Sequence, residues 1–411
     1  MTVKFKVASR TEQCKNCGFC DLICTHQDTC IGCGTCVVAC PYEAKILEEI
    51  SGHRKEVAIK VNHEKYSVPE RITVLRALEL TGFKVLTFKE DGKPSEKEIL
   101  APCRTGGCWS CEVIINGELK PSCVTPVEEG MEIITDRGEI EKSEPKRIVS
   151  SFQGHAVGGV GTPYWLKPRG ISCGFIEVAC FAHGCILRCP TCQNWAIAYS
   201  AAEDPLSPVE AARIMSYERG RYGVDRMAIS GGESTLNRRW LLGFLRDLKN
   251  LNRDERARIH VDTNAVVLTP GYIDDLIIAG ATDVGADIKA LELDTFIRIT
   301  GIRDQELAKK LLDNEWKAVK YLIANADKMF IGIGIPYNEA LISLDEVYQI
   351  GERIAGWSPD VQVCAIDYRP VFRRMEIRKP DYDDMQQVKG VLEDSGLRCV
   401  ICQTEFGIIG P

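Results

Sequence analysis

Most of the twenty cysteines in this 411-residue chain stand in four groups whose internal spacing speaks of metal chemistry. Cys14, Cys17, Cys20 and Cys24 follow C-x2-C-x2-C-x3-C, and Cys30, Cys33, Cys36 and Cys40 repeat it, with Pro41 next. Cys103, Cys108 and Cys111 follow C-x4-C-x2-C, with Cys123 further along. Thiolates this close favour a shared soft metal over mutual disulfides, which belong to small secreted scaffolds with little core. The last group, Cys185, Cys189 and Cys192 in "HGCILRCPTCQNW", stops at three. Three thiolates on a four-iron cube leave one iron open, and an open position lets a metal centre do chemistry instead of only passing electrons.

Elements must position these groups. From about Cys173 onward, candidate strands "FIEVACF", "RMAIS", "RIHVDT", "TDVGADI", "MFIGIGI" and "VQVCAID" alternate with helical runs. The run "SPVEAARIMSYERGRYG" has Ser207 as N-cap and Pro208 at the first helical position. Six β-then-α units imply an α/β domain with a parallel sheet, either an open barrel or a doubly wound layer. In both, functional groups gather where strands end. Residues 55–140 read as a small mixed sheet around one helix, with alternation over Val57–Val61 and Glu112–Ile115 and a turn at Asn116-Gly117. Residues 1–50 hold the doubled cysteine motif, and 141–172, with "GHAVGGVGTP", read as a connecting segment.

The totals set bounds. The chain is 45% apolar and 27% charged with a formal net charge of −7, which gives no global attraction to nucleic acid or anionic membrane. No stretch approaches eighteen uninterrupted apolar residues, so no transmembrane helix is expected. The N-terminal "MTVKFKVASRTEQC" lacks the apolar core of a signal peptide, and a cytoplasmic location is expected.

The doubled motif resembles a bacterial ferredoxin with two [4Fe–4S] clusters; a zinc knuckle is the plainer alternative. The resemblance implies that Cys14, Cys17, Cys20 and Cys40 hold one cube, and Cys30, Cys33, Cys36 and Cys24 the other. Only "THQDT" separates the two motifs, too little for the strand pair that usually lies there. The segment from Glu56 to about Asp136 resembles the β-grasp [2Fe–2S] ferredoxin domain of hydrogenase and complex I electron-transfer subunits, which implies ligation by Cys103, Cys108, Cys111 and Cys123. Gly106 and Gly107 sit where that loop must turn backbone amides toward sulfur.

The three-cysteine loop resembles the radical S-adenosylmethionine superfamily, in the branch of pyruvate formate-lyase activating enzymes. That resemblance implies a partial (β/α)6 barrel over 173–411, with Cys185, Cys189 and Cys192 on a third cube whose open iron takes the amino and carboxylate groups of S-adenosylmethionine. It implies that the "SGGEST" turn, with Gly231, Gly232 and Glu233, meets the methionine ammonium. "VDTNA" (Asp262, Asn264) and "ADIKALELDTFIRITG" (Asp287, Lys289) resemble further motifs at the next two strand ends. Their aspartates either help hold a monovalent cation near the cofactor or serve as caps after a strand. Asp367, Tyr368 and Arg369 are either substrate-site or ordinary loop residues. Thr191 stands where the superfamily commonly has an aromatic residue.

The cofactors expected are therefore three [4Fe–4S] clusters, one [2Fe–2S] cluster, S-adenosylmethionine and a monovalent cation. The expected activity is that of an oxidoreductase: reductive cleavage of S-adenosylmethionine to methionine and a 5′-deoxyadenosyl radical, and hydrogen abstraction from a substrate. That substrate is a small molecule or a partner protein. The expected partner is an external low-potential donor, a ferredoxin, flavodoxin or hydrogenase-like protein. Two other readings stand beside this one: an activator that installs a glycyl radical on a partner, and a multi-cluster electron-transfer subunit. Of the remaining cysteines, Cys180 and Cys364 lie in apolar strands and read as core. Cys399 and Cys402 form a C-x2-C pair that, with Cys173, is an alternative auxiliary metal site. His183 is expected to make a structural hydrogen bond.

Overall fold

The doubled cysteine motif is enclosed by its own flanks. Strands Thr2–Arg10 and Lys45–His53 pair antiparallel in an unbroken register that ends at Arg10↔Lys45. The strand pair with no room between the motifs is thus built from the residues outside them. Within the loop lie two helices of five residues each, Phe19–Ile23 and Thr35–Ala39, entered through the left-handed residues Gly18 and Gly34 (φ 77° and 81°). The computed structural model describes residues 2–24, 26, 29–167 and 174–411; Cys173 lies outside them.

Two units make up the chain, Met1–Val149 with Ala182–Ile186 and Asn194–Ser207, and Ser150–Phe181 with Leu187–Gln193 and Pro208–Pro411. In the first, residues 56–134 form a five-stranded sheet in the order Glu64–Pro69, Glu56–Val61, Glu132–Ile134, Glu112–Ile115, Glu118–Pro121. Exposed and buried side chains alternate along Glu56–Val61 as the sequence predicts: Val57, Ile59 and Val61 point into the core. Both turn residues of the 112–121 hairpin have positive φ, Asn116 at 49° and Gly117 at 86°, as a type I′ turn requires. Helix Val74–Leu80, capped by the Thr73 side chain accepting from Arg76 N, buries Leu75 and Leu78 against this sheet.

The second unit is one nine-stranded sheet whose strands follow chain order, Val149–His155, Glu177–Ala182, Arg226–Gly231, Arg258–Thr263, Asp283–Asp287, Phe330–Tyr337, Gln362–Asp367, Val400–Thr404 and Gly407–Ile409. From Arg226 to Thr404 neighbouring strands run parallel, and the last is antiparallel. Helices connect them; Arg238–Leu251, capped by Asn237, buries Trp240, Leu241, Phe244, Leu245 and Leu248 along one stripe. The sequence pattern identifies six of these strands and misses three: the two edges, because an edge strand carries less of the apolar run that marks the centre, and the buried Val400–Thr404, whose segment reads as a C-x2-C pair.

The segment 157–162 does more than connect. Gly159 lies against the Asp262 carboxylate, and a Cβ on Gly161 would stand 2.5 Å from Gly285 N and 2.7 Å from His260 Nε2. Val160 sits against Gly332 and Gly334. Thr162 accepts at Oγ1 from Arg226 Nη2 (3.0 Å) and at its carbonyl from Gln362 Nε2 (2.9 Å). Arg226 and Gln362 stand four strands apart, about 19 Å across a flat sheet. Side chains project perpendicular to a sheet, so the two meet at one residue only because the sheet curls around the strap.

Candidate active site and cluster sites

The four thiols of the C-x4-C-x2-C group are fully enclosed: Cys103, Cys108, Cys111 and Cys123 are 0–3% exposed. Cys103 hydrogen-bonds to Cys108 and Cys123, and Cys111 to Cys123, with no disulfide among them. The amides of Thr105 and Ser110 point at Cys103 Sγ (3.4 Å) and Cys108 Sγ (3.5 Å). Burial and its thiol neighbours push Cys108 well up, while hydrogen bonds from Cys108 and Cys123 pull Cys103 well down. Four convergent thiols with amides aimed at sulfur suit a group that bears negative charge on every ligand, and a [2Fe–2S] cluster fits that donor set.

The doubled motif surrounds two cavities. The larger, about 340 Å³, is lined by Cys20, Cys24, Cys30, Cys33 and Cys36; the smaller, about 20 Å³, by Cys14, Cys17, Cys20 and Cys40. Cys24 of the first motif therefore stands with the second, and Cys40 of the second with the first. Burial pushes the Cys36 thiol up to about 12; Lys45 pulls the other way, and Cys33, Cys24 and Cys30 add to the rise. Among the described residues no three His, Cys, Asp or Glu groups close on a point as one metal ion would need. A cube distributes four thiolates over four irons, so ligands around a cavity suit it better than zinc.

Cys185 follows strand Glu177–Ala182 by three residues and is 7% exposed. Cys189 and Cys192 are half-buried. The turn before Cys189 is tied down by Arg188 N donating to Thr300 O (2.8 Å), and Pro190 O accepts from Arg373 N (3.0 Å). Burial raises the Cys189 thiol, opposed chiefly by Lys289. His183 is buried with Nδ1 at 2.9 Å from Ser200 O, and burial lowers its pKa, which suits a structural neutral imidazole.

The strand ends of the second unit bring the remaining candidates together. Glu233 is completely buried: Oε1 accepts from Thr235 N (3.0 Å), Thr235 Oγ1 (2.5 Å) and Thr263 Oγ1 (2.7 Å), and Oε2 from Asn264 N (2.7 Å). Its carboxylate therefore clamps the next strand end, Thr263–Asn264, to the Gly231–Gly232 turn. Those two glycines are partly exposed, with Gly231 at φ 111°, so backbone is what the turn offers to a ligand. Lys289 donates to Asp287 Oδ2 (3.3 Å) and Tyr368 Oη (3.2 Å), and its amide to both oxygens of buried Glu315 (3.2 Å each). Burial opposes the Lys289 charge, yet Tyr368, Asp287 and Cys189 raise its pKa well up. Burial raises Asp287 and Glu315, with Lys289 countering in each. Asp262 meets His260 Nε2 at 3.0 Å, and His260 Nδ1 lies 3.7 Å from Glu177. Asp367 is held by Arg369 Nη2 at 2.9 Å to both oxygens.

A buried charge layer underlies these carboxylates. Glu177 pairs with Arg226 Nε (3.2 Å) and His155 Nδ1 (3.0 Å), and Arg226 Nη1 with Asp283 (3.1 Å). Sequence reading missed this layer and the glycine strap, although "VGGVG" is visible; glycines spaced to let backbone pass read as a linker until their neighbours are known. Cys180, Cys364 and Cys402 are buried in strands. Cys399 lies just before strand Val400–Thr404, its carbonyl accepting from Val363 N (2.9 Å), and is half-buried, whereas Cys402 is buried within that strand.

Among the described residues no helix is long and apolar enough to cross a membrane. Residues 180–342 match the radical SAM superfamily, 54–138 the 2Fe-2S iron-sulfur cluster binding domain, and 25–46 the 4Fe-4S binding domain. An uncharacterized iron–sulfur protein of Methanocaldococcus jannaschii is 47% identical over 77 residues, which make up 18% of this chain and 14% of that protein. The chain thus spans a small part of that relative. Similar solved structures include SuiB of Streptococcus suis bound to S-adenosylmethionine, at 18% identity, TM-score 0.39, over 51% of this chain and 45% of that one. Coproporphyrinogen III oxidase of Escherichia coli, a radical SAM enzyme, is 17% identical, TM-score 0.33, over 46% of this chain and 44% of that one.

Proposed function

With a radical SAM domain joined to 2Fe-2S and 4Fe-4S binding domains, we propose that this protein is a radical S-adenosylmethionine oxidoreductase supplied with electrons from its own N-terminal clusters. Cys185, Cys189 and Cys192 would hold the reactive cube. When bound, cube and S-adenosylmethionine supply one-electron cleavage of the sulfonium to methionine and a 5′-deoxyadenosyl radical that takes a hydrogen atom from substrate. The backbone at Gly231–Gly232 receives the ammonium end of the cofactor, and Glu233 keeps that turn and the Thr263–Asn264 end in register. Asp262 and Asp287 present carboxylates for a monovalent cation, and Lys289 balances Asp287 and holds Tyr368. The protein works in the cytoplasm with an external low-potential donor of the ferredoxin or flavodoxin type.

One observation carries this reading: the cysteine groups of the first two modules each gather four thiols, while the group in the radical SAM domain has three, of which Cys189 stands near Lys289 and Asp287. Anaerobically purified, reduced protein incubated with S-adenosylmethionine should form 5′-deoxyadenosine, and Cys189→Ser should abolish it. Iron analysis should give about 14 irons per chain. Absence of 5′-deoxyadenosine from fully loaded wild type would instead leave a multi-cluster electron-transfer subunit.

A further inference from the structure

Strands Thr2–Arg10 and Lys45–His53 stand opposite each other residue by residue, and every second pair shares a face. On the face of Arg10 lie the pairs Lys4↔Ser51, Lys6↔Glu49, Ala8↔Leu47 and Arg10↔Lys45. Its charges begin complementary, with Lys6 across from Glu49 and Lys4 Nζ 3.4 Å from Glu49 Oε1. At the cysteine end of the ladder a cation stands opposite a cation. Like charges directly opposite destabilise a strand pair, so this position asks for negative charge. Asp21 supplies some, accepting from Arg10 Nη2 at 2.9 and 3.0 Å. Half-buried Lys45 has no ion pair among the described residues.

Both cations face the cysteines. Arg10 and Lys45 line the cavity around Cys24, Cys30, Cys33 and Cys36, and also the one around Cys14, Cys17 and Cys40. Lys15 adds a third cation to the smaller cavity, while Asp21 is the sole carboxylate on either wall among the described residues. Arg10 Nη2 stands 3.9 Å from Cys20 Sγ. Burial and Asp21 raise the Cys20 thiol, and Lys45 and Arg10 oppose the rise. At Cys36, on the larger cavity, Lys45 again opposes the effect of burial. Lys45 therefore favours negative charge on one cysteine of each site.

We propose that Lys45 and Arg10 form a cationic bridge shared by the Cys14/Cys17/Cys20/Cys40 and Cys24/Cys30/Cys33/Cys36 sites, which eases reduction of both cubes and lets them hold two electrons at once. A cube on four thiolates bears net negative charge, and it gains one unit more on taking one electron from a low-potential one-electron donor. Filling both cubes takes two electrons from two donor molecules, and no bond forms or breaks. Charge added at one cube opposes charge at the other, and cations that attract both offset that opposition. Salt screens a half-buried lysine less than a fully exposed one. Neither residue ligates iron; each acts on the clusters through its charge. The inference rests on the proposed ligation of these two cubes.

The test is a redox titration of the anaerobic, fully loaded protein followed by low-temperature electron paramagnetic resonance, with the signal that responds to S-adenosylmethionine set aside as the third cube's. In wild type both cubes of the doubled motif should be reduced over one narrow range of potential, with the spectral broadening of two neighbouring reduced centres. Lys45→Gln should keep its iron and make reduction about tenfold harder at each cube, a fall of about 59 mV for a one-electron couple. Lys45→Arg should restore the wild-type curve. Lys4→Gln should leave it unchanged, since that lysine is ion-paired and 74% exposed. Arg10→Gln should lower both potentials as well, and decides should Lys45→Gln lose iron; should both lose it, the wild-type titration decides. Unmoved curves in either iron-replete variant, a shift at one cube alone, or two well-separated waves in wild type overturn the bridge. Zinc in place of iron in the doubled motif of wild type would overturn the cluster ligation itself.

Discussion

Residues 11–44 and residues 54–136 both gather cysteines for iron and sulfur, yet they are held together differently. The first segment has two five-residue helices and few buried residues, chiefly Ile23, Ile31, Cys36, Ala39, Cys40 and Ala44. Its other cysteines are partly or fully exposed. The second has a continuous apolar core, including Val57, Ile59, Leu78, Val113, Ile115 and Ile133, and its four cysteines are buried at the core's edge. A stretch of about 40 residues cannot bury enough apolar surface to fold alone and needs a metal. The lesson is that one segment is organised by its metal, whereas the other presents a site already organised by its sheet.

The largest expected effect is iron removal. Chelation under reducing conditions should abolish amide-exchange protection in residues 11–44 while strands Glu56–Val61 and Glu112–Ile115 stay protected; equal loss in both would break the contrast. Next comes Leu78→Ala, which deletes a fully buried side chain from the second core. It should cost about 2–5 kcal/mol in denaturant unfolding monitored by the [2Fe–2S] visible circular dichroism, with the iron of the doubled motif retained.

Gly32→Ala sharpens the comparison from the other side. Gly32 has φ +69°, and its added Cβ would stand 2.5 Å from Lys6 O, forcing the loop before Cys33 off the hairpin. A cost of about 1–3 kcal/mol is expected, read as partial loss of [4Fe–4S] absorbance with an intact [2Fe–2S] spectrum.

The smallest effect is electrostatic. Lys89 and the Ser95 amide hold the Glu98 carboxyl down at about 2, against an ordinary 4.5. A depressed carboxyl contributes stability above pH 4.5 and loses it as pH falls toward 2. The stability difference between wild type and Glu98→Gln in the iron-free protein should be small at pH 6 and vanish near pH 2. Exposure of the pair limits its size; a difference that grew on acidification would contradict the assignment.

Much was legible along the chain because the signals are local. Cysteine spacing marks each cluster loop, since one short loop must deliver several thiolates to one centre. Apolar alternation located Glu56–Val61, Glu112–Ile115 and six strands of the large sheet, and Asn116-Gly117 marked a turn needing two positive φ angles. Glu233 was identified as a site residue, but its buried role of clamping Thr263 and Asn264 was not visible, because its partners lie about thirty residues away.

The sequence by itself determined which residues can ligate iron, how many thiols each group offers, and where strands and helices alternate, because these depend on neighbours within a few positions. What needed the folded chain is which cysteines line each cavity of the doubled motif, that "VGGVG" threads a curled sheet against Asp262, and that Gly107 packs against Gly184. Each depends on contacts between residues far apart in sequence, and at the last two glycine matters through the side chain it lacks.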